Sequence, residues 1–290
     1  MKINWVLENI KKNKNSNDFY VNSKLNILLL LASVHLWKKN HREDTTVLYG
    51  DDLTINTLER LNVLDYFDII KPIPDTGRKI NKDVFWAASK LEVLSQIDEP
   101  IIIMDNDTHV YRPLKQHLDL SKVYVCNFEK GKGYYPTAID TRVQKLSYKT
   151  RWKTESVNVG FLNLPDPEFT RRYANESLKM MEEFTAMGVP HSQYLIFAEQ
   201  LLLKHMLLNE NIEHNSIIAT TWDCKEWKWG EDHDKGVWPI YESEVYFKHY
   251  GPLKGWIKDS KADQNYDREI SHLLNCINNP KLDLTSIPNK

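Results

Sequence analysis

The stretch IIIMDNDTHV, residues 101 to 110, places two aspartates directly after a run of apolar residues. Asp105 and Asp107 are separated by a single residue, so their carboxylates lie close together in any turn. Burying neighbouring carboxylates is costly unless a cation or hydrogen-bond donors compensate them. Carboxylate oxygens are ligands that Mg²⁺ and Mn²⁺ prefer. The spacing indicates a divalent metal site; the alternative is a solvated turn, in which Asp and Asn are common.

The elements before this pair alternate between strand-like and helix-like patterns. The predicted strands are Ile3–Leu7, Thr45–Gly50, Tyr66–Ile73 and Pro100–Met104. The predicted helices are Ser23–Lys39, with Ser23 as N-cap, Thr54–Leu61 and Val84–Gln96. Such alternation predicts βαβ units and a mostly parallel sheet. Ligands of these sheets bind beyond the carboxyl ends of the strands, which is where Asp105 and Asp107 lie.

The second half of the chain is less regular. Strands are predicted at Lys122–Phe128 and Val157–Leu164, and helices at Pro167–Met187, Gln193–Leu208 and Ala262–Cys276. The segment from Glu129 to Glu155 shows little periodicity, which is typical of a functional loop or lid. We expect one domain over residues 1–290, with a nucleotide-binding part at about 1–114, an acceptor-side part at about 115–261 and a C-terminal helix at about 262–290.

Composition limits the partners and the compartment. A net charge of −2 gives no electrostatic reason to expect nucleic acid as a partner. Cys126, Cys224 and Cys276 lie far apart and lack the CxxC spacing of zinc sites, which favours a reducing compartment. The longest apolar run, Ile27 to Val34, is too short to span a bilayer, and the N-terminus lacks a signal-peptide pattern. These features predict a cytoplasmic protein without a transmembrane segment.

The segment KLEVLSQIDEPIIIMDNDTHVYRPL, Lys90 to Leu114, resembles the corresponding segment of GT-A-fold glycosyltransferases of family 8, the glycogenin-like and galactosyltransferase-like retaining enzymes. It is more similar still to uncharacterised bacterial proteins that are predicted glycosyltransferases. The resemblance covers residues 3 to 257 and is closest around Asp105. It implies a single α/β GT-A (Rossmann-like) domain with a mixed, mostly parallel sheet flanked by helices. It also implies a nucleotide-sugar donor, a UDP-sugar above all, and Mn²⁺ or Mg²⁺ at Asp105 and Asp107.

The segment HYGPLKGW, from His249 to Trp256, is similar to a family segment whose His completes the metal site and whose Lys meets the diphosphate. This similarity implies that His249 is a metal ligand and that Gly251 and Lys254 bind the donor. The chain departs from the family here, because the His-to-Gly spacing is one residue shorter and Gly255 stands where Pro is usual. The alternatives are a structural histidine and a solvated lysine.

Other residues are predicted to bind the nucleotide-sugar donor. NDFY resembles the family motif that contacts the nucleotide, so Asp18 and Tyr20 are predicted to bind the base and ribose. The alternative for these two is a capping aspartate and a buried aromatic ring. Lys90 could reach phosphate or sugar as a point charge, or lie at the surface with a buried stem. Asn106, between the two aspartates, completes the predicted donor contacts.

The predicted catalytic residues are Asn158, Glu199 and Gln200. VNVGF resembles the family strand that lines the sugar site, where Asn158 can donate and accept while Gly160 allows close approach. AEQ matches the Asp-Gln pair heading a later helix, with Glu199 in place of Asp. Glu199 could stabilise an oxocarbenium-like transition state. The alternatives are a structural hydrogen bond for Asn158 and a carboxylate stabilised by a helix N-terminus for Glu199.

Tryptophans crowd one stretch of the second half, namely Trp222, Trp227, Trp229 and Trp238. Indole faces stack on the apolar faces of sugar rings, so this stretch is a candidate acceptor wall, although tryptophan also simply packs. We expect the acceptor to enter beside this stretch and the segment from Glu129 to Glu155.

The aspartate pair and the resemblance together predict a metal-dependent glycosyltransferase that moves a sugar to a glycan, lipid-linked or protein acceptor. The similarity to family 8 implies retention of configuration. No inverting base stands out, although Glu129, Asp232 and Asp234 are candidates. One alternative is a Mg²⁺-dependent phosphohydrolase, in which the Asp-x-Asp pair supplies nucleophile and acid. Another is a non-catalytic sugar- or nucleotide-binding protein on the same scaffold.

Overall fold

The structure is a computed structural model of the 290-residue chain. It describes residues 1–8, 23–130, 136, 140–153, 155–190, 193–217, 222–223, 247–249 and 263–277. The chain divides into two compact units. The first comprises Met1–Pro72, Ile103–Leu118 and Glu242–Lys290, and the second comprises Ile73–Ile102 and Asp119–Tyr241.

The strands and helices are numbered in chain order. The strands are β1 (Lys2–Leu7), β2 (Thr45–Gly50), β3 (Ile69–Pro72), β4 (Ile101–Met104), β5 (Thr108–Val110), β6 (Val123–Lys130), β7 (Glu155–Leu164), β8 (His214–Ser216), β9 (Trp222–Asp223) and β10 (Phe247–His249). The helices are α1 (Lys24–Asn40), α2 (Asp52–Arg60), α3 (Ala88–Leu94), α4 (Thr141–Lys145), α5 (Pro167–Ala186), α6 (Gln193–Ile196), α7 (Leu202–Asn209) and α8 (Asp263–Ile277). A π-helical turn, Phe197–Leu201, joins α6 to α7.

One mixed sheet has the strand order β3-β2-β1-β4-β7-β6-β8, with β9 also paired to β6. The pairs β1–β2, β2–β3, β6–β8 and β6–β9 are parallel, and β6–β7 is antiparallel. Strands β5 and β10 form a separate antiparallel pair. The predicted α/β class, with a mixed and mostly parallel sheet flanked by helices, is confirmed.

Helix α1 forms much of the core of the first unit. Its apolar run from Ile27 to Val34 is buried, as predicted for a core helix, and Trp37 near its end is buried as well. Ser23 is the N-cap residue by position, but its side chain makes no capping hydrogen bond among the described residues. In the part of the chain that the structure describes, no helix combines the length and apolar character that crossing a membrane requires.

Several predicted boundaries are wrong by a few residues. The predicted helix Val84–Gln96 is reduced to α3, and Trp86 precedes it with 51% of its surface exposed. The segment Glu129–Glu155 is not a single loop. The antiparallel pairing of β6 with β7 continues to the pair Lys130–Glu155, and α4 lies between the two strands. Glu129 therefore belongs to a strand.

Of the histidines that the structure describes in the second unit, His205 is buried and His214 is half-buried. The backbone N–H of Lys153 donates to His205 Nε2 at 3.0 Å. His214 Nδ1 lies 2.8 Å from the carbonyl oxygen of Ile212, and its Nε2 lies 2.7 Å from Lys204 Nζ. Burial, more than these neighbours, lowers the pKa of both imidazoles below the ordinary value of 6.5.

This burial makes stability depend on pH. Because the unfolded chain binds protons at these imidazoles near pH 6.5 while the folded chain does not, the free energy of unfolding should fall as the pH drops through about 6.5. The slope should not exceed about 1.4 kcal/mol per pH unit for each histidine, and should vanish below the folded pKa values. Urea unfolding at a series of pH values measures it.

The variant His205→Gln keeps an acceptor for the Lys153 N–H and cannot protonate. Its pH dependence should be weaker but not absent, because burial also lowers the pKa of His35 and His41. An unchanged pH dependence in this variant would show that His205 contributes nothing to the linkage.

Candidate active site

The two aspartates form a tight turn in the first unit, directly after β4. The backbone N–H of Thr108 donates to the carbonyl oxygen of Asp105 at 3.1 Å, which closes the turn and begins β5. Asp105 and Asn106 are half-buried, and Asp107 is only 2% exposed. A turn in which one carboxylate is buried differs from the wholly solvated alternative, because burial of a charge requires compensation.

The backbone brings His249 to this turn. Strand β10 pairs antiparallel with β5 so that His249 lies opposite Thr108, the residue after Asp107. Two carboxylates and an imidazole are a donor set that suits Mn²⁺ or Mg²⁺, so the residue types at this position fit such an ion. Among the side chains that the structure describes, which do not include that of His249, no group of three His, Cys, Asp or Glu residues could hold a metal ion.

Helix α1 anchors the strand that follows the turn. The hydroxyl of Ser33 donates to the carbonyl oxygen of Thr108 at 2.6 Å and accepts from the indole N–H of Trp5 at 3.0 Å. His109 Nε2 lies 3.0 Å from the carbonyl oxygen of Leu29. All these groups are buried, so β5 is held at fixed positions along α1.

The Ser33 hydroxyl gives a direct test of this anchor. We expect Ser33→Ala to lower the free energy of unfolding by about 1–3 kcal/mol, because the Trp5 N–H and the Thr108 carbonyl lose a shared partner while remaining buried. Urea denaturation measures the change. Ser156→Ala is the matched control, since that hydroxyl is buried and has no hydrogen-bond partner among the described residues. Equal losses in the two variants would contradict the anchor.

In the second unit, Lys90 and Glu199 form a buried ion pair. Lys90 Nζ lies 2.8 Å from Glu199 Oε1, with 11% and 6% of the two side chains exposed. The same ammonium donates to the carbonyl oxygen of Val159 on β7 at 3.5 Å. Lys90 is therefore not the surface lysine of the alternative, and its charge compensates that of the carboxylate predicted to be catalytic.

A second polar network joins β6, β7 and the π-helical turn. Asn158 Nδ2 donates to Glu129 Oε1 at 2.9 Å, and the backbone N–H of Gly160 donates to Asn158 Oδ1 at 2.9 Å. The Gln200 amide faces two oxygen acceptors, so its nitrogen is assigned to that side. It then donates to Glu129 Oε2 at 3.2 Å and to the carbonyl oxygen of Val157 at 3.3 Å.

Two successive residues of the π-helical turn reach different partners. Glu199 meets Lys90, whereas Gln200 meets Glu129, and both lie inside the helical segment 193–209. The interpretation of Glu199 as a residue at a helix start is wrong, so a helix N-terminus does not account for it. Such turns occur often at functional sites.

The hydroxyl of Tyr173 donates to the Glu199 carbonyl oxygen at 3.1 Å. Burial, reinforced by the Glu199 charge, raises the pKa of Tyr173 well above its ordinary value, so this phenol stays a donor.

A family model described as "Family of unknown function (DUF6734)" matches residues 1–240 of the chain. The chain belongs to DUF6734. No curated protein matches this DUF6734 chain in sequence.

Among solved structures, this DUF6734 chain is similar to the galactosyltransferase LgtC in complex with donor and acceptor sugar analogs. The identity is 13%, 95% of each chain is covered and the TM-score is 0.48. An active-site mutant of LgtC matches with the same values. The glycosyltransferase GlyE of Streptococcus pneumoniae TIGR4 matches with 10% identity over 86% of this chain and 54% of its own, with a TM-score of 0.40.

The predicted site residues of this DUF6734 chain fall into three sets. In the first unit, Asp105, Asn106 and Asp107 form the turn and the backbone of His249 lies beside it. In the second unit, Lys90 pairs with Glu199, while Asn158 and Gln200 each donate to Glu129. Outside the described residues lie Asp18, Tyr20, Gly251, Lys254, Asp232, Asp234 and the tryptophan stretch beyond the backbone of β9.

The sequence did not reveal which residues hydrogen-bond the predicted site residues. Glu129 was considered only as an inverting base, whereas both of its carboxylate oxygens accept from amides. The predicted strand ends at Phe128, whereas β6 continues for two more residues to Lys130, so the pattern did not place Glu129 on a strand. Tyr173 and Ser33 carry no motif, and only their contacts across helices show their roles.

Proposed function

We propose that this DUF6734 chain is a metal-dependent glycosyltransferase that moves a sugar from a UDP-sugar to a hydroxyl of a glycan, lipid-linked or protein acceptor. The observation that carries the proposal is the pairing of β10 with β5, which sets His249 beside the Asp105–Asp107 turn, in which Asp107 is buried. The turn and strand β10, which carries His249, are far apart in sequence. Their meeting supplies the residue types that a cation bound to a diphosphate needs.

Asp105, Asp107 and His249 would hold Mn²⁺ or Mg²⁺, which when bound supplies Lewis-acid stabilisation of the diphosphate leaving group. Lys254 and Gly251 would contact the diphosphate, and Asp18 and Tyr20 the base and ribose. These four assignments rest on the resemblance of their segments to the family 8 motifs. Retention of configuration rests on the same resemblance.

The polar cluster of the second unit would hold the sugar. Lys90 Nζ lies 2.8 Å from the Glu199 carboxylate and orients it, so that it can accept from sugar hydroxyls. Asn158 would hydrogen-bond the sugar from β7. A carboxylate and an amide carbonyl beside the same ring stabilise oxocarbenium-like charge, which is the role proposed for Glu199 and Gln200.

The test is release of nucleoside diphosphate from a panel of nucleotide sugars. We expect at least one UDP-sugar to be turned over with Mn²⁺, and this turnover to stop with a chelator and in Asp107→Ala. No release from any common donor, with wild type no better than Asp107→Ala, would contradict the proposal. Phosphate release from p-nitrophenyl phosphate would instead indicate a phosphohydrolase, and nucleotide binding without turnover would indicate a binding protein.

A further inference from the structure

Glu129 is a buried carboxylate that the proposed reaction does not yet use. It lies on β6 with 5% of its surface exposed, directly opposite Ser156 on β7. Asn158 lies two residues further along β7, on the same face of the sheet, where diagonal neighbours across antiparallel strands make contact. The two carboxylate oxygens accept from different amides, Oε1 from Asn158 and Oε2 from Gln200.

An ionised carboxylate accepts hydrogen bonds and cannot donate them, so it fixes which end of each amide faces it. The Gln200 nitrogen donates one hydrogen to Glu129 and the other to the Val157 carbonyl. With both amide hydrogens committed, Gln200 can offer a ligand only its oxygen. A carbonyl oxygen accepts from sugar hydroxyls and stabilises positive charge at an anomeric carbon, whereas an NH₂ group would oppose that charge.

We propose that Glu129 is the positioning residue that sets the Gln200 amide with its oxygen toward the donor sugar, an inference that rests on the proposed glycosyltransferase function. Glu129 acts through Gln200 and does not touch the substrate. This role also differs from that of an inverting base, because a carboxylate that accepts from two amides is not placed to take a proton from an acceptor hydroxyl.

A double-mutant cycle tests the inference. Glu129→Gln replaces one acceptor oxygen by a donor, so one of the two amides must reverse or lose its bond. We expect kcat for donor turnover to fall roughly 10²-fold, with the donor KM changing less than about threefold. Gln200→Ala should also lower kcat, and adding Glu129→Gln to it should cost clearly less than Glu129→Gln costs alone, because the Gln200 amide through which Glu129 acts is already removed and only its bond to Asn158 is left to disturb.

Glu155→Gln is the matched control. It makes the same chemical change at an exposed glutamate. Glu155 lies opposite Lys130, the residue after Glu129, in the β6–β7 register, and its substitution should leave kcat unchanged. If Glu129→Gln does not fold, Glu129→Asp enters the same cycle, since it keeps the charge and withdraws both oxygens by one methylene.

Provided that the wild type is active, two outcomes would overturn the inference. One is that the losses of kcat in the Glu129 and Gln200 variants are independent and additive, and the other is that kcat is unchanged in either single variant. A wild type without turnover of any donor would overturn the proposed function and this inference together. The two failures are therefore distinguishable by the wild-type assay alone.

Discussion

Replacing Lys90 by methionine is expected to lower the free energy of unfolding by about 3–5 kcal/mol and to abolish donor turnover. Methionine retains most of the lysine stem but removes the ammonium that lies 2.8 Å from Glu199. The carboxylate then stays buried without its cation, which is far more costly than losing a pair in water. Urea denaturation measures the stability, and release of UDP from the preferred donor measures the activity.

The double variant Lys90→Met/Glu199→Met separates structure from function. It removes both charges, so we expect it to be more stable than Lys90→Met and to remain inactive. Recovered activity in the double variant would show that the pair is only structural. Lys122→Met is the matched control, because Lys122 and Glu213 lie 2.7 Å apart with 38% and 65% of their side chains exposed. That variant should keep the stability of the wild type, because a solvent-exposed ion pair contributes little.

Asp107→Asn should weaken Mn²⁺ binding by at least about 10²-fold, equivalent to about 2.7 kcal/mol. Asparagine preserves the shape of the side chain but removes the negative charge from a ligand position that is 2% exposed. Mn²⁺ titration followed by electron paramagnetic resonance measures the affinity. The thermal stabilisation that UDP gives in the presence of Mn²⁺ should disappear in the same variant.

Asp98→Asn is the control for this substitution, because Asp98 is exposed and precedes β4 rather than following it. It should bind Mn²⁺ like the wild type. His249→Ala should weaken binding as well, since the register of β10 on β5 places that residue beside the turn. If Asp107→Asn binds Mn²⁺ as tightly as the wild type, the aspartate turn is not the metal site.

The sequence by itself determined the features that depend on neighbouring residues. An apolar run followed by Asp105 and Asp107 predicts a buried strand that ends in a turn, and β4 ends at Met104 as the pattern requires. The apolar run from Ile27 to Val34 predicts a buried helix, and α1 is buried there. The alternation of such segments predicts the α/β sheet. These predictions succeed because local periodicity sets which face of an element can be buried.

The tertiary structure alone decided which distant side chains meet. The pairing of His249 with Thr108, of Lys90 with Glu199 and of Glu129 with Gln200 joins residues that no local pattern relates. Each contact depends on strand register, on how helices pack against strands or on the depth of burial. These properties arise only when elements pack, because a carboxylate needs a buried partner only after the fold has removed water from it.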